Sequence, residues 1–176
     1  MERLASPEGP TAGKVLRPSD GAEPQSVAFV QCAGSRDENY LPYCSGICCL
    51  ASMKQANYVR ERYPDSDVHI FYIDLRAPGR LEDFYTRIKA DEKVQFHRGK
   101  VSKVTGQNGK LLVEAEDTFT GHVTQAEVDL VVLATGMVST NQMEGETVEP
   151  LTGGSDAIAT MQVLDRIYEL SGLRSD

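Results

Sequence analysis

The stretch VAFVQCAG, residues 27–34, decides the interpretation of the fold because an apolar strand runs directly into a cysteine-bearing turn. Its first four residues form a continuous apolar run, which is typical of a strand buried inside a sheet. Cys32 follows at once. Since α/β sheets place their chemistry at the carboxyl ends of the strands, this turn is the first candidate for a functional site.

The segments that follow alternate between helical and strand patterns. Strands are predicted at 27–30, 68–73 and 94–97, with helices between them over about 44–61 and 81–88. Parallel strands joined by helices are the usual outcome of this order. The sequence therefore predicts an α/β, Rossmann-like parallel sheet.

An antiparallel β-meander is predicted to be inserted before the last strand of that sheet. Strands at 100–105 and 110–116 flank Asn108-Gly109, which is a strong hairpin signal. A further strand is expected at 123–128, and the apolar run at 130–133 is typical of a strand covered on both faces.

Three segments are predicted along the chain. Residues 1–25 are rich in Pro, Gly, Ser and charge, and they predict a linker or an extended arm. Residues 26–137 are predicted to form the Rossmann-like domain. Residues 138–176 are expected to form a polar loop and a C-terminal helix near 155–170.

Composition excludes several classes of function. The apolar content of 40% and the charged content of 25% are those of a globular protein. The net charge of −8 argues against nucleic acid as a partner. Neither a signal peptide nor an apolar run of about 20 residues is found, so no direct membrane insertion and a reducing, cytoplasmic location are expected.

All four cysteines of the chain fall within residues 32–49, in the pattern C-x11-C-x3-C-C. Cys44 and Cys48 are four residues apart and are expected to share one face of the predicted helix. Cys32 approaches from the end of the first strand, and Cys49 follows Cys48 directly. A helix N-terminus stabilises negative charge, so it suits a group of thiolates that bind a [4Fe–4S] cluster.

Other chemistries remain open for these cysteines. A structural zinc ion also takes four thiolates, although its usual framework is a pair of C-x2-4-C knuckles. A redox-active C-x-x-C is absent, whereas a vicinal Cys48–Cys49 disulfide or four buried packing cysteines are further alternatives. The three histidines show no mutual spacing that indicates a metal site.

The first turn lacks the usual dinucleotide fingerprint. Residues 31–37, QCAGSRD, contain one glycine where G-x-G-x-x-G is expected. Asp74 follows the second strand, where related units often hold a ribose-binding acid, but capping of the loop before the next helix is the favoured interpretation. We therefore expect a metal centre in place of a nucleotide site.

Five segments resemble one flavoprotein family: Val30–Asp37, Pro42–Cys49, Ile73–Gly79, Gly79–Tyr85 and Val128–Met137. Together they are similar to the A subunit of heterodisulfide reductase, and to the A subunit of the quinone-interacting membrane-bound oxidoreductase. The cysteine block and the words around it match together, and the resemblance spans roughly residues 9–140.

The resemblance implies a thioredoxin-reductase-like flavoprotein whose nicotinamide domain corresponds to this α/β unit. It also implies that Cys32, Cys44, Cys48 and Cys49 bind a [4Fe–4S] cluster, which exchanges electrons with FAD. Residues 134–136, Ala134, Thr135 and Gly136, are expected to lie where the chain returns towards the flavin domain.

The departures from the family set the remaining expectations. The FAD fingerprint is absent from the 176 residues, so the chain resembles an internal portion of a longer flavoprotein and is not expected to retain FAD or activity alone. Its expected partners are the parent's FAD domain and other subunits of a redox complex, through which it could lie at the inner face of a membrane. A zinc-stapled or metal-free interaction domain is the alternative.

Overall fold

The structure is a computed structural model that describes residues 1–117 and 119–138. Its elements, in chain order, are α1 (Glu2–Ala5), β1 (Ser26–Val30), α2 (Cys48–Arg62), β2 (Asp67–Tyr72), α3 (Leu81–Lys89), β3 (Val94–Arg98), β4 (Lys100–Gln107), β5 (Lys110–Glu116), β6 (Val123–Val128) and β7 (Leu130–Leu133). The predicted loop and helix beyond Val138 lie outside the described residues.

A four-stranded sheet forms the centre of the molecule, in the order β3-β2-β1-β7 with every neighbouring pair parallel. β1 is an inner strand, and Val27 pairs with Val68 of β2 on one side and Leu130 of β7 on the other. The continuous apolar run of β1 is explained by this position, since Val27, Ala28 and Phe29 are fully buried.

Alternate side chains of β1 enter two separate hydrophobic cores. Val27 and Phe29 pack with residues of α2 and α3 on one face of the sheet. Ala28 and Val30 pack with Val113 and other residues of the meander on the opposite face. This period of two follows from strand geometry, and it explains why both faces of the sheet are covered.

The inserted meander is a second sheet of three antiparallel strands, in the order β4-β5-β6. Asn108 and Gly109 have φ values of 51° and 79°, and Gln107 pairs directly with Lys110 across the turn. Two consecutive positive φ angles are what a two-residue type I′ hairpin requires. The predicted Rossmann-like parallel sheet with an inserted meander is confirmed.

The N-terminal segment is not the extended arm that its composition predicted. It contains the one-turn helix α1, and Val15 is fully buried in the core beside α2. The Tyr63 hydroxyl donates a hydrogen bond to the Val15 carbonyl at 3.0 Å, and Arg62 donates to the Ala5 carbonyl at 3.0 Å. A few apolar residues and backbone acceptors thus tie a Pro- and Gly-rich segment to α2.

No helix within the described ranges is long and apolar enough to cross a membrane. The longest of them, α2, has 15 residues and carries several charged side chains.

Two histidines lie together on the meander-facing side of β2 and β3. His69 Nδ1 and His97 Nε2 are 3.0 Å apart, and the His97 ring stacks on Phe71 with 4.7 Å between ring centroids. Burial lowers the pKa of both imidazoles; His69 lowers the pKa of His97 further, whereas Asp67 opposes the shift of His69.

This histidine pair is expected to make stability depend on pH in a defined window. The unfolded chain takes up protons near pH 6.5, about the ordinary histidine pKa, before the folded pair does. The free energy of unfolding should therefore decrease as the pH falls from about 6.5 towards the lowered folded-state pKa values, and level off below them. Urea denaturation across this range measures the slope.

The His97→Phe variant should show a shallower pH slope than the parent, because it removes one of the two depressed groups. His122→Gln is the matched control, since His122 is exposed in a loop. Equal slopes for the parent and His97→Phe would contradict the account of the pair.

Candidate metal centre

The four cysteines lie between the carboxyl end of β1 and the N-terminus of α2. Cys32 is in the turn after β1, Cys44 is in the following loop, and Cys48 and Cys49 are the first two residues of α2. The prediction that Cys44 and Cys48 share a helical face is wrong, because the helix begins at Cys48. Gly46, at φ 74°, holds the chain out of the right-handed helical region just before that point.

The turn after β1 holds Cys32 in an uncommon backbone conformation. Cys32 and Arg36 have φ values of 56° and 57°, in the left-handed region that costs a non-glycine residue about 1–2 kcal/mol. The Cys32 carbonyl accepts a hydrogen bond from Gly34 N–H at 2.9 Å, and Ala33 N–H donates to the Ala134 carbonyl at 3.1 Å. Such locally strained backbone is concentrated at functional sites in proteins, which supports this turn as a candidate site.

The thiols lie within electrostatic reach of one another. Burial raises the pKa of Cys48, and negative charge on Cys32 and Cys44 raises it further, while the N–H of Gly136 lowers it. Burial likewise raises the pKa of Cys49; the N–H of Arg76 opposes this, and the other three thiolates add to it. Simultaneous ionisation of all four thiols therefore requires a positive charge among them, which metal ions supply.

The surroundings of the thiols offer hydrogen-bond donors and positive charge. Gly46 N–H donates to Cys44 Sγ at 3.4 Å. No side-chain cap is formed at Ile47, the N-cap of α2, and no acidic residue occupies the first turn, so this positive helix end faces the thiols without a competing carboxylate of its own. The Arg36 guanidinium lies beside both Cys32 and Asp74; burial lowers its pKa, but these two partners raise it by more.

Asp74 does not cap α3. The N-cap of that helix is Arg80, which makes no side-chain capping bond. Instead, Asp74 Oδ1 accepts a hydrogen bond from Arg36 at 2.5 Å, and the Asp74 carbonyl accepts from Cys49 Sγ at 3.8 Å. Asp74 therefore links the end of β2 to the cysteine turn. Sequence order gave no sign of this contact, although adjacency of the carboxyl ends of β1 and β2 is a signal that could have found it.

The segment after β7 closes over the cysteine loop. Ala134 N–H donates to the Val30 carbonyl at 2.9 Å, and Met137 N–H donates to Ser45 Oγ at 2.7 Å. Gly136 has a φ of 96°, and a Cβ placed there would lie 2.8 Å from Leu41 Cδ2. Ala134 and Gly136 thus contact the cysteine site itself, while the contact of Ala134, Thr135 and Gly136 with a flavin domain stays a prediction.

Within residues 1–117 and 119–138, no three His, Cys, Asp or Glu side chains are arranged to hold one metal ion. A four-iron cluster binds each of its thiolates through a different iron ion, so its ligands stand farther apart than the ligands of a single ion. Four cysteine thiols, a helix N-terminus and Arg36 form a donor set that suits such an anionic cluster. The arrangement gives less support to a single zinc ion, whose four ligands must converge on one point.

Comparison with solved structures returns flavin-dependent and NADPH-dependent oxidoreductases. Lactococcus lactis thioredoxin reductase is 18% identical and matches 64% of this chain and 31% of its own, with a TM-score of 0.44. T. acidophilum thioredoxin reductase is 15% identical and matches 70% and 35%, also with a TM-score of 0.44. These scores are too low to carry an argument, and the fold assignment depends on the sheet topology described above.

Sequence comparison gives a much stronger relationship. No family model matches the chain. A Methanopyrus kandleri protein, named as the second iron-sulfur A subunit of CoB–CoM heterodisulfide reductase, is 46% identical over 142 residues, covering 78% of this chain and 22% of the relative. The A subunit of the ferredoxin/F420H2-dependent CoB-CoM heterodisulfide reductase of Methanosarcina acetivorans is 48% identical over 148 residues, covering 82% and 18%.

The chain spans about a fifth of the length of these curated relatives. A third relative, the A subunit of the H2:CoB-CoM heterodisulfide,ferredoxin reductase of Methanothermobacter marburgensis, is 44% identical over 78% of the chain and is covered to 21%. The match includes most of the Rossmann-like unit in each case, at identities that place common ancestry beyond question. By sequence, the chain belongs to the family of heterodisulfide reductase A subunits.

Proposed function

We propose that Cys32, Cys44, Cys48 and Cys49 bind a [4Fe–4S] cluster, and that the chain relays electrons between this cluster and FAD in a longer parent protein. The observation that carries the proposal is the gathering of all four cysteines at the end of β1 and the start of α2. The word "iron-sulfur" in the name of a relative supports the same chemistry.

The residues around the thiols would stabilise the negative charge of a bound cluster. The first turn of α2 presents free backbone N–H groups, and Gly46 and Gly136 add donors to Cys44 and Cys48. Arg36 supplies positive charge beside Cys32. The cluster itself would supply one-electron redox chemistry. These residues would hold it, set its charge balance and limit the access of water to Cys49, which is buried.

FAD is proposed to belong to the parent protein, in a domain outside this chain. The segment of Ala134, Thr135 and Gly136 is proposed as the return towards that domain, because it leaves β7 directly beside the cysteine site. The proposed partners are this FAD domain and further subunits of a heterodisulfide-reductase-like or quinone-interacting complex. Several relatives are named as single subunits of reductases, which supports a complex of more than one kind of chain.

Electron exchange with flavin tests the proposed relay. The anaerobically purified chain would be mixed with oxidised FAD after reduction by dithionite and its removal, and separately with photoreduced FAD while in its oxidised form. In one of the two directions, the visible absorption of the cluster and that of the flavin should change together. Protein treated with a chelator to remove iron is the control. A cluster that exchanges no electrons in either direction would contradict the relay.

A further inference from the structure

Gln31 is a buried polar side chain that the described protein does not satisfy. Its exposed fraction is 5%, and solvent reaches neither the Nε2 nor the Oε1 atom of its amide. Within the described residues, neither atom has a hydrogen-bond partner. Buried side-chain amides are nearly always hydrogen-bonded, so an orphaned amide next to a candidate site points to a group that binds there.

The position of Gln31 in the sheet directs it towards the cysteines. Its N–H donates to the Phe71 carbonyl at 3.0 Å and so extends β1 by one residue. The alternation along β1 assigns Gln31 to the same face as Val27 and Phe29, whose core also contains Cys49. Gln31 lies one repeat beyond Phe29, about 6.6 Å farther towards the carboxyl end of the strand, where α2 begins.

A solvent-filled cavity does not account for the amide. Gln31 borders an open cavity of about 200 Å³ that is also lined by Cys32, Lys100 and Lys103. Because solvent reaches neither amide atom, Gln31 contacts this cavity through other atoms, and its amide is enclosed by the interior. An anion held by the two lysines would therefore not satisfy it. The enclosed side is that of the cysteine site.

We propose that the Gln31 side-chain Nε2–H donates a hydrogen bond to a sulfur atom of the [4Fe–4S] centre, either an inorganic sulfide or a cysteine thiolate; this rests on the proposed function. Gln31 is then a positioning residue that tunes the centre. A hydrogen bond to sulfur stabilises the more negative, reduced form, and it therefore raises the reduction potential.

Redox titration of the anaerobically purified chain tests this role, with the variant Gln31→Leu. Loss of the donor should lower the equilibrium constant for one-electron reduction by about tenfold, which corresponds to about 59 mV. The Fe–S stretching bands in the resonance Raman spectrum should also move, because they report hydrogen bonds to sulfur. Gln107→Leu is the matched control, since Gln107 is exposed at the meander hairpin, and it should retain the parent potential and bands.

The outcomes separate this inference from the proposed function. A parent chain that contains no iron and sulfide would overturn the proposed function itself. A parent with a cluster whose potential and bands are unchanged in Gln31→Leu would overturn only the role of Gln31. If Gln31→Leu does not fold, pulsed EPR of the reduced parent with isotopically labelled glutamine amides decides: a coupling from an amide nitrogen is expected, and its absence contradicts the proposal.

Discussion

Replacing Cys48 with serine is expected to remove most of the iron and sulfide from anaerobically purified protein. Cys48 opens α2, where its thiolate receives the Gly136 N–H and lies within electrostatic reach of Cys32 and Cys44. A serine hydroxyl ionises far less readily than a thiol, and cluster binding requires the ionised ligand. Since the loss of an outer-shell partner alone costs about 10–100-fold in metal affinity, the loss of a ligand should cost at least as much.

Iron and sulfide analysis of Cys48→Ser, with its visible absorption, measures this effect. Ala51→Ser is the matched control, because it adds a serine to the same helix one turn later and leaves all four thiols in place. The control should contain as much iron as the parent. A full cluster in Cys48→Ser would refute the ligand assignment.

Gly136→Ala is expected to reduce both the stability of the chain and its retention of a cluster. The new Cβ would lie 2.8 Å from Leu41 Cδ2, 3.0 Å from Ser35 Cβ and 3.1 Å from Ser45 Oγ, at a φ of 96° that an L residue rarely adopts. Backbone strain of this kind costs about 1–3 kcal/mol, and the crowding adds to it. Relief of the crowding would move the Gly136 N–H away from Cys48 Sγ.

Urea denaturation and the rate of iron release to a chelator measure the two effects. Gly21→Ala is the matched control: Gly21 also has a positive φ, of 69°, but no atom lies within 4 Å of the position of its Cβ. This control should lose only the conformational part of the stability and should release iron at the parent rate. Identical behaviour of the two variants would contradict the role of residues 134–138 in closing the site.

Local sequence patterns were sufficient to predict most of the fold. The apolar runs of β1 and β7 indicated inner strands, because a strand covered on both faces has no polar positions. Asn108-Gly109 predicted its hairpin because both residues tolerate positive φ. The start of α2 was wrong because the four-residue spacing of Cys44 and Cys48 imitates a helical face, whereas the backbone at Gly46 is left-handed.

The candidate site was predictable where its residues are close in sequence. The spacing of the cysteines located the site, but the contact of Arg36 with Asp74 and the approach of Gly136 to Cys48 depend on the parallel register of β1, β2 and β7. The contact of His69 with His97 arises in the same way, from the pairing of β2 with β3. Such long-range adjacency is set by tertiary packing, and no local pattern contains it.

The content of metal and acid-labile sulfide in the anaerobically purified chain tests the central claim most directly. Four thiolates that each bind a different iron ion require about four iron ions and about four sulfides per chain. The account predicts this stoichiometry, together with the EPR signal of a reduced cluster after addition of dithionite. One zinc ion per chain with no iron or sulfide would contradict it.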